Sequence, residues 1–303
     1  MPNNEFDEPF RQVLVENTAQ AVFKRLELLF NARDTYKRRW IWELLQNASD
    51  AAPSDGVRVA VCVTDSDLRF AHSGKPFTKK NIGHLIYHGS TKQGEDEATG
   101  RFGTGFMTTH LIAKRVRVEG VLDDSRTFTF TLSREGDNPD GLRENMDDSR
   151  HQFEESLDGS DEPCEFSTGY FYPLGNDDVL PDVLGAIDDL KRQVPLVLAF
   201  NERLIEVRLE TADHTDVIAK GSPENLKDGF LLYPIGPPDV QETEVEIFVV
   251  TSAPDGDVNI GVILVRTASG MKVELTDDTP RLFLLFPLLG SESFAFPAVI
   301  NSR

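Results

Sequence analysis

Over residues 19–30 the apolar residues Val22, Leu26 and Leu29 recur at helical spacing, which predicts one amphipathic helix. A stronger pattern of the same period runs over residues 36–52 and is stopped by Pro53 and Gly56. Residues 57–63 then carry valine at every second position, the mark of a half-buried strand, and a shorter strand follows over 68–71. Beyond a glycine-rich segment, 89–106, come an apolar-patterned helix over 107–113 and strands at 116–121 and 127–132. In the last of these Phe128 and Phe130 alternate with threonines, as one buried face requires. The first part of the chain is thus predicted to be a helix-strand sandwich.

Residues 135–163 are acidic, poor in aromatics and interrupted by Asn138-Pro139-Asp140-Gly141. Such a composition predicts a mobile insertion. Strand character returns over 165–172, and one helix is expected over 183–194, ahead of Pro195. After Phe200 almost everything alternates as strands, at 204–209, 245–250, 260–265 and 282–286. Two domains follow from this pattern: residues 1–195, and a smaller, mainly antiparallel α+β domain over 196–303. The final run from Phe294 to Arg303 is apolar and strand-like with no polar tail. It predicts a fragment of a longer protein with further C-terminal domains.

Charge narrows the classes of partner. Of 303 residues, 31 are Lys or Arg and 51 are Asp or Glu, a net charge of −20 that repels phosphate backbones and anionic lipid. Nucleic acid and membrane are not expected partners. No run of about 18 apolar residues occurs, and the first residues lack the order of a signal peptide, so the expectation is a soluble cytoplasmic protein. Cys62 and Cys164 are too few for a disulfide framework and read as small buried hydrophobes.

Four short segments carry chemistry. Glu43, Asn47 and Asp50 stand at i, i+4 and i+7 of the second helical pattern, on one face, while Leu44, Leu45, Ala48 and Ala51 fall elsewhere. A carboxylate beside a carboxamide suits metal-assisted hydrolysis, although a solvated polar stripe has the same pattern. Gly100, Gly103 and Gly105, in Gly100-Arg101-Phe102-Gly103-Thr104-Gly105-Phe106, let the backbone bring amide groups against phosphate oxygens. The segment lacks the Gly-Lys-Ser/Thr of a P-loop and does not follow a strand as a dinucleotide fingerprint does. Gly74, in His72-Ser73-Gly74-Lys75-Pro76-Phe77, allows close approach to a flat ligand, and the polar loop 89–94, with its cation Lys92, suits a lid over phosphates. His84 and His88 are four residues apart, but Leu85 stands where a zinc-dependent hydrolase has its glutamate, so no metal is expected there.

Glu43-Leu44-Leu45-Gln46-Asn47-Ala48-Ser49-Asp50 resembles the N-box of the GHKL ATPases, and Gly100 to Phe106 resembles their second glycine box. The order of the segments is most similar to the heat-shock chaperone branch, and within it to sacsin-type ATPase modules. The resemblance covers residues 13–132 well and the rest more loosely. It implies a Bergerat-fold α/β sandwich, a mixed and mostly antiparallel sheet with helices on one face, followed by a second α+β domain. It further implies that Glu43 activates water, that Asn47 ligates the Mg²⁺ held with ATP, and that Asp50 supports the nucleotide through water. Lys92 and the segment Gly100, Phe102, Gly103, Thr104, Gly105 and Phe106 would cradle the phosphates, and Thr168 would lie beneath the adenine. The family has Asp in the first glycine box where this chain has His72, so the charge-assisted acceptor for the adenine amino group is lost.

The expectation is ATP binding and Mg²⁺-dependent hydrolysis that moves a lid and a second domain within a chaperone-like or sensor/defence protein. Its client is unnamed by the sequence, and the resemblance admits a nucleotide-dependent dimer. A γ-phosphate sensor would come from Arg281 or Arg303. The alternative is a nucleotide-binding regulatory and protein-interaction module without turnover. A topoisomerase-like reading lacks a basic surface, and a histidine-kinase reading lacks a phospho-acceptor helical pair.

Overall fold

The computed structural model describes residues 7–87, 105–157, 165–175, 179–238, 245–251 and 258–302. Its elements begin with helices α1 (Asp7–Asn31), α2 (Arg33–Tyr36) and α3 (Trp40–Asp50), strands β1 (Val57–Val63) and β2 (Asp67–His72), and α4 (Lys79–Tyr87). A 3-10 helix (Gly105–Leu111) precedes β3 (Arg115–Val121), β4 (Thr127–Ser133), α5 (Pro139–Glu155), β5 (Thr168–Pro173) and α6 (Leu180–Phe200). Strands β6 (Leu204–Glu210), β7 (Thr215–Lys220), β8 (Glu224–Lys227), β9 (Phe230–Gly236) and β10 (Val245–Thr251) follow. The last are β11 (Val258–Thr267), β12 (Gly270–Val273), β13 (Leu282–Leu284), β14 (Phe286–Pro287) and β15 (Val299–Ser302). The class is α+β, with mixed and mostly antiparallel strands.

Two compact units are each discontinuous in sequence. The first comprises Met1–Glu43, Asp65–Ala71 and Lys75–Asp182, the second Leu44–Thr64, His72–Gly74 and Val183–Arg303. The chain therefore passes between them inside α3, around β2 and near the start of α6.

In the first unit the strand order is β2-β5-β3-β4, with β3 antiparallel to both neighbours. Phe128 and Phe130 point into the core, as their alternation predicts, and the buried Ala19, Val22, Leu26 and Leu29 form the inward stripe of α1. Over its described residues, 135–157, the acidic segment is not a mobile insertion, and residues 158–163 lie outside the described residues. Asn138 caps α5 by accepting from the Gly141 amide at 2.9 Å, Pro139 opens its first turn, and Leu142, Met146 and Phe153 are buried. Burying three such side chains contributes about 2 kcal/mol each, which favours an ordered helix. Polar residues of α5 also bond the backbone of β4: Gln152 Oε1 accepts from Thr131 N at 2.9 Å, Ser156 Oγ accepts from Thr129 N at 3.0 Å, and Ser149 donates to Thr131 O at 2.8 Å. The helix thus satisfies backbone groups that an edge strand would otherwise leave bare. Arg134, buried, donates to the carbonyls of Leu85 and Ile86 at 3.0 and 2.7 Å and so closes the end of α4.

The second unit orders its strands β14-β13-β15-β11-β10-β9-β7-β6-β1, with β12 on β11 and β8 on β9. The β1–β6 and β13–β15 pairs are parallel and the rest antiparallel. Pro195 does not end its helix. Leu196, Val197, Leu198, Ala199 and Phe200 are all buried on the continuation of α6, and their burial offsets the roughly 3 kcal/mol cost of an interior proline. A boundary at 195 consequently falls inside a helix. Cys62 is half-buried on the face of β1 opposite the valines, rather than in the core, and Cys164 lies outside the described residues. Among the described residues no helix is long and apolar enough to cross a membrane.

Candidate functional site

Trp40, Ile41, Leu44, Leu45 and Ala48 are buried along α3, leaving Glu43, Asn47 and Asp50 half-buried together on another face. The helical spacing read from the sequence is realised. What holds the end of this helix is Asn201, whose amide donates to Ser49 Oγ at 3.0 Å while its oxygen accepts from Arg203 N at 2.9 Å and Leu204 N at 3.2 Å. A buried carboxamide thereby ties α3 to the start of β6.

In the first unit the Glu43 carboxylate lies directly against Gly105. A Cβ at residue 105 would stand 2.6 Å from Glu43 Cδ and closer still to Oε2, so this approach exists only because residue 105 is glycine. The turn beneath it is stiffened by hydroxyls: Thr108 donates to Gly105 O and Thr109 to Phe106 O, both at 2.7 Å. Sequence pattern did not single out those two threonines, although their place three residues after Gly105 and Phe106 is the available signal. The Phe106 ring packs against Tyr170 at 5.1 Å and His110 at 6.0 Å. Thr168 is buried on β5 opposite Gly120, and its hydroxyl has no hydrogen-bond partner among the described residues.

In the second unit His72 and Gly74 form a tight turn. The Gly74 amide donates to His72 Nδ1 at 3.1 Å, and a Cβ on Gly74 would stand 2.7 Å from that nitrogen and 3.0 Å from Ala51 Cβ. Ser73 fastens the turn to β1, its amide donating to Arg58 O at 3.0 Å and its hydroxyl accepting from Arg58 N at 2.9 Å. Burial lowers the pKa of His72 from 6.5 to about 4, so the ring is neutral at pH 7. Because Nδ1 accepts, the ring proton is on Nε2.

That depressed pKa makes a stability prediction. As the pH falls from 6.5 towards 4 the unfolded chain takes up a proton that the folded chain refuses, so stability is full above this window and is lost on acidification. Between pH 7 and pH 5 the His72 contribution is expected to cost about 2 kcal/mol. Urea unfolding at the two pH values should show a loss smaller by that amount in His72→Asn; equal losses would contradict a buried neutral ring.

Lys92, Gly100, Phe102, Gly103, Thr104 and the lid loop 89–94 lie outside the described residues, as do His88 and Arg303. Arg281 is buried and donates to the carbonyls of Thr276 and Thr279 at 3.1 and 2.8 Å, which holds its own loop. Among the described residues no three His, Cys, Asp or Glu side chains gather as a metal cage. Asn47, half-buried on α3, carries an amide oxygen of the kind that can ligate a hard cation alongside phosphates and water.

No family model and no curated protein matches this chain.

Proposed function

We propose that this chain binds a Mg²⁺-nucleoside triphosphate and hydrolyses it, as a GHKL-like ATPase module whose nucleotide state moves a lid and a second domain of a chaperone-like or sensor/defence protein. The observation that carries the reading is the Glu43 carboxylate pressed against Gly105, at the start of a turn stiffened by Thr108 and Thr109. A general base has to stand close to the phosphate-binding backbone, and a glycine, having no Cβ, lets the Glu43 carboxylate come that close.

Glu43 would take the proton of the attacking water as the terminal phosphoryl group departs. Asn47, one turn further along α3, would hold Mg²⁺, which supplies charge neutralisation for the triphosphate. Phe106, packed against Tyr170, would keep water from the glycine turn, and Lys92 with residues 103–106 would bind the phosphates. Most of the rate would come from this positioning.

The orphan hydroxyl of Thr168 gives a test with opposed signs. A buried unpaired hydroxyl lowers stability, so Thr168→Val is expected to raise the stability of the free protein by about 1 kcal/mol. The same change should weaken nucleotide binding severalfold, because the hydroxyl is kept for the ligand. A variant that gains stability and binds as well as wild type would remove Thr168 from the site.

The second reading is a nucleotide-binding regulatory module without turnover, and the neutral, buried His72 in place of a carboxylate favours it. Melting of the protein with and without Mg²⁺-nucleotide, alongside phosphate release, separates the two. Stabilisation with phosphate release supports the ATPase, and stabilisation without it the regulatory module. No stabilisation by any nucleotide would sink both.

A further inference from the structure

Arg134 carries more charge and more donors than its surroundings use. The residue follows β4 and is buried, its backbone amide donating to Lys114 O at 2.7 Å. Nη2 donates to the carbonyls of Leu85 and Ile86 at the end of α4, whereas Nε and Nη1 are buried with no hydrogen-bond partner among the described residues. Burial lowers its pKa from 12.5 to about 10, so the guanidinium is still charged at pH 7. Both acceptors that it meets are neutral. Closing the helix end accounts for Nη2 alone, and a buried cation with unused N–H groups is costly to keep. Arg143, on α5, repeats the pattern, its Nε being buried and without a partner among the described residues. It lies one turn before Asp147 on the same face of α5, and Asp147 Oδ1 accepts from the hydroxyl of Tyr87, the last residue of α4, at 3.3 Å. Asn145 donates to Glu135 O at 2.7 Å, which fastens the same part of α5 beside Arg134. Two guanidinium groups with unused donors are thus brought to one end of α4, all within the first unit. The carboxylates on that face of α5 are engaged elsewhere, Asp147 by Tyr87 and Glu154 by Arg150 at 3.2 Å.

We infer that the end of α4 is an oxyanion site, where Arg134 and Arg143 bind a phosphate or carboxylate group. A water molecule can accept from an unused N–H but leaves the buried charge as it was. An oxyanion accepts and neutralises at once, and its bonds to a guanidinium are about twice as strong as those between neutral groups. The Leu85 and Ile86 carbonyls hold Nη2, so the directions of the remaining Arg134 donors are fixed before an anion arrives. A tetrahedral phosphate has oxygens enough to accept from both arginines. A free anion and the phosphate of a larger ligand share this chemistry, and the site stands whether or not the chain hydrolyses a nucleotide.

The test is calorimetric titration of the full chain with inorganic phosphate and, separately, with acetate, at constant ionic strength, as wild type, Arg134→Met and Arg143→Gln. Wild type is expected to bind phosphate saturably at one site. Arg143→Gln removes one charge-assisted bond and should weaken phosphate binding by about tenfold or more. Arg134→Met should abolish it, and Arg143→Gln, at a half-buried position, decides the matter should the loss of Arg134 prevent folding. No saturable binding of either anion by wild type overturns the inference. Equal phosphate affinity in wild type and folded Arg143→Gln places the anion elsewhere and overturns it as well. Repeating the phosphate titration with the Mg²⁺ complex of the β,γ-imido analogue of ATP present separates the two sources. Loss of the arginine-dependent phosphate binding makes the oxyanion the nucleotide's own, its retention makes it a separate anion, and either result supports the site. Absence of nucleotide binding would overturn the reading as an ATPase and leave this titration as it is.

Discussion

Glu43→Ala is expected to lower phosphate release from Mg²⁺-ATP by about 10² to 10⁴-fold while leaving the nucleotide-induced rise in melting temperature intact. The two readouts part because on the proposed reading the carboxylate would take the water's proton, whereas affinity would come from contacts to the rest of the nucleotide. Glu43 is half-buried rather than part of the apolar core formed by Trp40, Leu44 and Leu45, so its truncation leaves that core filled. Steady-state phosphate release and thermal melting on the same preparation measure both. Retention of the wild-type rate would remove Glu43 as the base, and a drop in rate together with loss of the melting shift would make it a binding residue instead.

The second large effect is expected at Gly105→Ala. The new Cβ would stand 2.6 Å from Glu43 Cδ and 3.3 Å from Oε1, and the carboxylate, at the end of a flexible side chain, swings away. Folding should survive with a loss of about 1 kcal/mol, and turnover should fall about 10²-fold because a base displaced by an ångström no longer meets its proton. The double variant with Glu43→Ala should be no slower than Glu43→Ala alone, since both changes act through one carboxylate. Additive losses would mean that Gly105 acts on the phosphates independently of Glu43.

The difference between these residues and the rest of the chain lies in the range of their interactions. Period is local, so the valine alternation of β1, the Phe128/Phe130 face of β4 and the Glu43/Asn47/Asp50 face of α3 are legible in the order of residues alone. Helix α5 is not, because its outer face is acidic enough to resemble disorder. Its apolar residues Leu142, Met146 and Phe153 matter only once β4 lies against them, with Phe153 at 5.4 Å from Phe128 and 5.9 Å from Phe130. Pro195 misleads for the same reason. A proline rule counts the lost hydrogen bond and cannot count the buried apolar turn beyond it.

The candidate site divides along that line. The residue types and their spacing, a carboxylate, a carboxamide and glycines in order, are set by the sequence alone, as are the acidic balance and the absence of a cysteine framework. Tertiary structure alone decides that Glu43 meets Gly105 from a distant part of the chain, that Thr108 and Thr109 stiffen the turn, and that Arg281 is already engaged. It also decides the polarity of His72, because a one-dimensional string names an imidazole but not which of its nitrogens the Gly74 amide occupies. Hydrogen-bond direction and steric room are properties of atoms brought together by the whole fold, and no local pattern of residues contains them.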